Sequence, residues 1–247
     1  MRFSFALLAA TLLIAACSPQ GETTTAQAAP VTRDAAGFPM PDRPVAGIVA
    51  SEWSNGPDRD AADESGQLIR GLGITPGMRV ADIGAGSGYH TLRLSPAVGP
   101  NGVVYAEDIV EAYLSGLKRE AERRNLENVK IVVGTPDDPK LPAGAVDRAV
   151  MVHMYHEIES PYALLWHLAT ALKPGGRVGV IDLDRPTNSH GTPPALLKCE
   201  FEAVGYKRLS HAPLEGGIGY LAVFEAPAKR PKPAEIKPCK APVPARR

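Results

Sequence analysis

Through the central part of the chain, short apolar runs alternate with longer stretches in which apolar residues recur at every third or fourth position. "MRVADIG" reads as a short strand ending at glycine, "HTLRLSPAV" as a short helix, and "GVVYAED" as a second strand. "VEAYLSGLKREAERRN" has helical spacing, with Tyr113, Leu114 and Leu117 on one stripe, and "NVKIVVG" and "VDRAVMVHM" give a third and fourth strand. "PYALLWHLATALK" is a helix opened by Pro161 in its first turn, "GGRVGVIDL" a fifth strand, and "PPALLKCEFEAVG" a helix closed by Gly205. The last two apolar segments, "YKRLSHAPL" and "GYLAVFEA", follow each other without a helix between them and should pair antiparallel. Upstream, a helix is expected to start near Pro57. Strands separated by single helices imply right-handed crossovers, and so an α/β fold with a doubly wound, mainly parallel sheet. Ligands on such sheets bind beyond the carboxyl ends of the strands.

The two ends of the chain break this alternation. Arg2 followed by an apolar run from Ala6 to Ala16, with small residues before Cys17, has the form of an export signal. The run is shorter than the ~20 residues of a permanent transmembrane helix. "IAAC" at 14–17 resembles the bacterial lipobox, in which the cysteine is lipidated and becomes the mature N-terminus. Residues 18–44 are rich in Ala, Thr, Pro and Gln and read as a flexible linker; 227–247 are rich in Pro and Lys and read as a disordered tail. The expected organisation is a signal peptide with lipobox over 1–17, a linker over 18–44, a folded body over 45–226 and a tail over 227–247. The protein is thus expected outside the cytoplasm, periplasmic and held at the membrane only through a lipidated Cys17.

Composition narrows the functions. The chain has 247 residues, 44% of them hydrophobic, enough for one well-buried domain. Lys plus Arg and Asp plus Glu balance at 27 each, which lacks the basic excess of a nucleic-acid-binding protein. The three cysteines, Cys17, Cys199 and Cys239, have no metal-ligand spacing, so no metal site is expected; with Cys17 lipidated, Cys199 and Cys239 remain as a possible disulfide in an oxidising compartment.

The candidate chemistry begins at "ADIGAGSGYH". Gly84 and Gly86 fit the first two positions of the dinucleotide fingerprint G-x-G-x-x-G, but Tyr89 stands at the third and the next glycine, Gly88, is one place early. A phosphate-binding P-loop is excluded, because no lysine followed by Ser or Thr closes the turn. Asp82, at the mouth of the strand, would repel a pyrophosphate and attract a ligand with a cationic amino group and no phosphate. S-adenosylmethionine is such a ligand. Glu107 and Asp108 at the end of the second strand offer an acceptor for ribose hydroxyls; since neighbouring strand residues face opposite sides, one of the two is expected at the site. Asp137 or Asp138 in "GTPDDP" offers an acceptor for the adenine amino group.

Together, "VADIGAGSGYHT", the acid pair before Ile109, "GTPDDPKLPAGAVD" and "LKPGGRVGVID" resemble the class I S-adenosylmethionine-dependent methyltransferases, over about residues 70–226. The resemblance implies a Rossmann-like seven-stranded sheet of order 3-2-1-4-5-7-6 with the last strand antiparallel. It places Asp82, Gly84 and Gly86 round the methionine end, Asp108 in preference to Glu107 on the ribose, and Asp137 or Asp138 on the adenine. In the same glycine turn Ala85 and Gly88 are expected at the cofactor, and Tyr89 either contacts it or packs against the preceding loop. Strand four in that fold ends facing the transferred methyl, where this chain has "VHMYHEIE". His156, Tyr155 and Glu157 are the catalytic candidates; His153 is expected either there or buried on the strand. Trp53 can lid the cofactor or pack in the core, Arg59 and Asp60 read as a solvated helix start, and His190 as a loop residue facing solvent or reaching substrate. The implied function is methyl transfer to a small-molecule or protein acceptor. The alternatives are a non-catalytic binder of the same cofactor and an interaction lipoprotein of the envelope, because a fold does not fix a function.

Overall fold

A computed structural model of the protein describes residues 31–48 and 56–241. Its strands are β1 (Arg79–Ile83), β2 (Val103–Asp108), β3 (Val129–Val133), β4 (Val146–Val152), β5 (Leu172–Asp182), β6 (Lys207–Pro213) and β7 (Tyr220–Glu225). They form one sheet in the order β3-β2-β1-β4-β5-β7-β6. The first five are parallel to one another, and β7 runs antiparallel between β5 and β6. This is the expected Rossmann-like methyltransferase sheet. The fourth strand stops at Val152, short of the apolar run's end, because His153 takes a left-handed conformation (φ 54°) that turns the chain out of the sheet.

The helices are α1 (Gly56–Ala61), α2 (Glu64–Leu72), α3 (Thr91–Val98), α4 (Glu111–Arg123), α5 (Pro161–Ala171) and α6 (Pro194–Ala203). Successive strand residues point to opposite faces, so Val80 joins one core with Leu68, Leu72, Leu94 and Val98 of α2 and α3. Its neighbour Ala81 joins the other, with Leu165 and Leu168 of α5 and Phe201 of α6. Leu114 and Leu117 of α4, the expected stripe, pack on Ala106. A sheet covered on both faces explains why β1, β2 and β4 read as nearly continuous apolar runs.

The ends of the body differ from expectation. Residues 31–44, assigned to a flexible linker, and 227–241, assigned to a disordered tail, pack together on the body. Phe38 and Ile236 are buried in the core beside α5. Arg33 donates to the carbonyls of Pro233 (3.0 Å) and Ile236 (2.9 Å). Trp166 Nε1 donates to the Pro231 carbonyl (2.9 Å), with the Arg230 guanidinium 3.7 Å from its ring centre. Cys239 is disulfide-bonded to Cys199 of α6, and its N–H donates to the Tyr162 hydroxyl (2.6 Å). Composition misread these segments because a few anchors hold them: two apolar side chains, one disulfide and a buried ion pair. That pair joins Arg43 Nε to Glu200 Oε1 at 2.9 Å, with both side chains fully buried. Removing one partner would strand the other charge, at a cost of ~3–5 kcal/mol. The signal segment, Cys17, linker residues 18–30, Trp53 and residues 242–247 lie outside the described residues.

Candidate active site

The chain leaves β1 through a glycine turn that makes backbone the floor of a cavity. The cavity holds about 470 Å³ over the carboxyl ends of β1, β2 and β4. Asp82, Gly84, Ala85, Gly86, Tyr89, Glu107 and Asp108 all line it. Gly86 sits at φ 54°, and a Cβ added there would meet no protein atom within 4 Å, so the missing side chain leaves open space on the cavity side. Gly88 has a different reason to be glycine. It does not line the cavity, contrary to the expectation for it; a Cβ there would strike the Leu117 side chain of α4.

Both members of the acid pair reach the cavity, where strand alternation had suggested one. Asp108 is the last residue of β2, so its side chain is freed from the pleat: Oδ2 accepts from the Gly86 N–H (2.8 Å) and Oδ1 from the Val110 N–H (2.8 Å). It therefore ties the glycine turn to the entry of α4. Glu107 points towards Gly134, where a Cβ would collide with its carboxylate. Burial, then the adjacent Asp108, pushes the Glu107 carboxyl up to about 8. Burial likewise raises Asp82 to about 6, against the hydrogen bond its Oδ2 accepts from Thr91 Oγ1 at 2.6 Å.

The expected adenine acids are not at the cavity. Thr135 and Asp138 close a tight turn by a backbone bridge. Within it Asp137 accepts from the Thr135 hydroxyl (2.7 Å), and Asp138 takes the Lys140 N–H and ammonium, both at 2.8 Å. Short-range donors claim both carboxylates, and the wall here is made by Thr135 and Pro136.

The residues after β4 divide in a similar way. Glu157 and His153 line the cavity; Tyr155 and His156 do not. Tyr155 is fully buried against Phe201, its ring centre 5.6 Å from the Arg43 guanidinium carbon. His156 is also fully buried, with Nδ1 3.1 Å from both Asp182 oxygens. The turn carrying these residues (Tyr155–Glu157) is pinned from the N-terminal segment: Arg43 donates to the carbonyls of Tyr155 and Ile158, and Ala46 N–H to that of His156.

A buried carboxylate that the sequence did not single out organises this side. Glu64, at the start of α2, has no exposed surface. Its Oε1 accepts from Arg59 Nε (2.8 Å) and lies 3.0 Å from His90 Nε2, while its Oε2 is 2.9 Å from His153 Nε2. Burial alone would raise the Glu64 carboxyl, but the His153 and His90 bonds with the Arg59 charge outweigh it and hold it well below the usual carboxylate range. Burial drives His90 down to about 4, so it is neutral at pH 7. Asp60 is exposed, as expected of a solvated helix start, whereas Arg59 is half-buried and lines the cavity. Arg59 and Arg93 lie on the Tyr89 ring, each 3.8 Å from its centre, and the Tyr89 hydroxyl donates to Asp60 (2.7 Å). Burial, then that hydrogen bond, raises Tyr89 to about 12. "PDRDAADES" carries no periodic signal that would have marked Glu64 as buried.

Residues 80–176 match a protein family described as a methyltransferase domain. The chain is 25% identical over 119 residues to demethylmenaquinone methyltransferase of Geobacillus sp. (strain WCH70), covering 48% of this chain and 51% of the relative. It is 28% identical over 137 residues to the ubiquinone/menaquinone biosynthesis C-methyltransferase UbiE of Coxiella burnetii (strain RSA 493 / Nine Mile phase I), covering 55% and 52%. The chain thus spans about half the length of the curated relatives it matches. In fold it is similar to a SAM-dependent methyltransferase from Aquifex aeolicus, with TM-score 0.65 at 22% identity over 72% of this chain and 98% of that one. These matches make residues 80–176 similar to methyltransferase domains, carried on a sheet whose strand order is that of the structural neighbour's S-adenosylmethionine-dependent methyltransferase fold.

Proposed function

We propose that the protein transfers the methyl group of S-adenosylmethionine to a small-molecule acceptor. One observation carries this reading: a single cavity joins the glycine turn and strand-end acids to two proton-accepting side chains, His153 and Glu157, at the end of β4. Asp82 faces the amino group, and Asp108, whose oxygens each keep a second lone pair, takes the ribose hydroxyls. The acceptor's lone pair attacks the methyl carbon, the carbon–sulfur electron pair passes to sulfur, and the acceptor's proton passes to His153. Glu64 at His153 Nε2 fixes the tautomer with the lone pair on Nδ1 and stabilises the imidazolium that forms. Alignment in the cavity supplies the rest of the acceleration. A small molecule fits the relatives, whose names are those of quinone-pathway enzymes.

We also propose that the protein is exported and anchored through Cys17. The Cys199–Cys239 disulfide supports this, since such bonds persist in oxidising compartments; no helix among the described residues is long and apolar enough to cross a membrane. S-adenosylmethionine is charged and does not cross a bilayer unaided, so it must be transported or loaded before export. Calorimetric titration of the full chain with S-adenosylmethionine, followed by methyl-labelled transfer to a panel of small hydroxylated acceptors, tests the activity. Micromolar binding without transfer to any acceptor would leave a cofactor-binding lipoprotein, and no binding at all would sink both. Labelled-palmitate incorporation that persists in Cys17→Ser would refute the anchor.

A further inference from the structure

Beside the cavity, at the carboxyl ends of β4 and β5, His156, Glu157 and His190 each place one ligand atom so that all three lie within 4.8 Å of one another. His156 Nε2 is 4.0 Å from Glu157 Oε1, and the His156 and His190 rings meet edge-on with centres 5.4 Å apart. Asp182, which accepts from Leu183 N–H (2.8 Å) and Thr192 Oγ1 (2.7 Å), is fixed against His156 Nδ1. A carboxylate at Nδ1 accepts a hydrogen bond from that nitrogen's N–H and leaves the lone pair on Nε2. That Nε2 and His190 Nδ1 are both buried without a hydrogen-bond partner. Two unsatisfied ring nitrogens are costly, and His190 adds backbone strain at φ 53°. One cation between the two nitrogens satisfies both when each turns its lone pair to it.

We propose that His156, Glu157 and His190 bind a divalent transition-metal ion of the zinc type, with Asp182 as the support that orients His156. Two imidazoles and one carboxylate are a donor set that holds such an ion and leaves a coordination position open. At metal–ligand distances of about 2.0–2.2 Å, tetrahedral ligands stand about 3.4 Å apart, so the side chains draw in by about 1 Å. Glu157 and His190, only partly buried, have room to do so. Because Glu157 also lines the cavity, the ion borders the acceptor space. Its role there rests on the methyl-transfer reading: it binds an acceptor hydroxyl or enol oxygen and lowers its pKa. The proton leaves to His153, the oxygen lone pair forms the bond to the methyl carbon, and the carbon–sulfur pair goes to sulfur. This selects acceptors with a hydroxyl or enol oxygen.

The full chain, stripped with a chelator, is titrated with Co²⁺ for its visible bands and with Zn²⁺ against a chromogenic chelator. Saturable binding at one ion per chain is expected, weakened at least ~100-fold in His190→Ala and ~10–100-fold in Asp182→Asn. His190 lies on a loop, so its variant keeps the fold, which an unchanged affinity for S-adenosylmethionine verifies. Absence of saturable binding, or equal affinity in His190→Ala, overturns the site. Binding with these losses but without methyl transfer upholds the metal site and defeats the proposed function instead. Transfer by a chain that binds no metal does the reverse.

Discussion

The two ends of the cavity are built by different means. The cofactor end comes from one continuous stretch, residues 82–108, where a strand, a glycine turn, a helix and a second strand follow directly in sequence. The acceptor end is assembled from segments far apart in the chain: Glu64 before the first strand, His153 and Glu157 after the fourth, and the residue-43 region that pins their turn. Local assembly makes the first end rigid and recognisable. The second depends on a buried charge network that positions groups without announcing itself in any short motif.

Breaking the acceptor end should leave the cofactor end intact, and this is the largest effect expected. His153→Ala lowers turnover by ~10²–10⁴-fold while S-adenosylmethionine affinity stays within about threefold. Glu64→Gln follows in the same direction, because a neutral amide does not stabilise the imidazolium. Equal losses of turnover and affinity would mean that the two ends are one unit. The converse break is Gly86→Val. A β-branched residue at φ 54° is strained, and its side chain fills the ligand's space, so affinity falls at least ~100-fold in a calorimetric titration. Unchanged affinity would remove the cofactor assignment.

The same division decides what could be read in the sequence. The sheet order and the antiparallel last pair were legible because strand and helix periods alternate plainly in "MRVADIG" through "GYLAVFEA". The glycine turn was legible because Gly84 and Gly86 are dictated by backbone geometry. Gly88 shared the motif but serves Leu117, a partner about thirty positions on, which no local pattern reveals. Asp137 and Asp138 were misplaced because a tight turn gave them donors within two or three residues. Glu64 and Arg43 were missed for the opposite reason: charged residues in polar stretches look solvated until their distant partners, His153 and Glu200, are brought to them.

A smaller effect separates the two neighbouring acids of the cofactor end. Asp108→Ala removes the ribose acceptor and the clamp on the Gly86 N–H, weakening S-adenosylmethionine by ~1.5–3 kcal/mol. A larger loss in Glu107→Ala, measured in the same titration, would reverse their roles.

The smallest effect is a pH dependence confined to the cofactor end. Glu107, at about 8, and Asp82, at about 6, are both raised above ordinary carboxyl values by burial. Raised carboxyls contribute stability that is fully present below their unfolded values near 4 and is lost as pH rises through the folded ones. The ligand-free protein therefore becomes less heat-stable from pH 6 to 8.5, chiefly through Glu107. The cofactor pulls the other way. Its cationic amino and sulfonium groups and its ribose donors favour the ionised carboxylates, so binding expels protons and affinity climbs with pH. A lowering of about one pKa unit at Glu107 in the complex makes S-adenosylmethionine bind ~5-fold tighter at pH 8 than at 6, approaching ~10-fold above pH 9. Glu107→Gln cannot ionise, so it should flatten most of both trends, measured by thermal melts and titrations at half-unit intervals. If Glu107→Gln keeps the full pH trend in both measurements, the proton is exchanged elsewhere, and the raised carboxyl at the end of β2 has no part in binding.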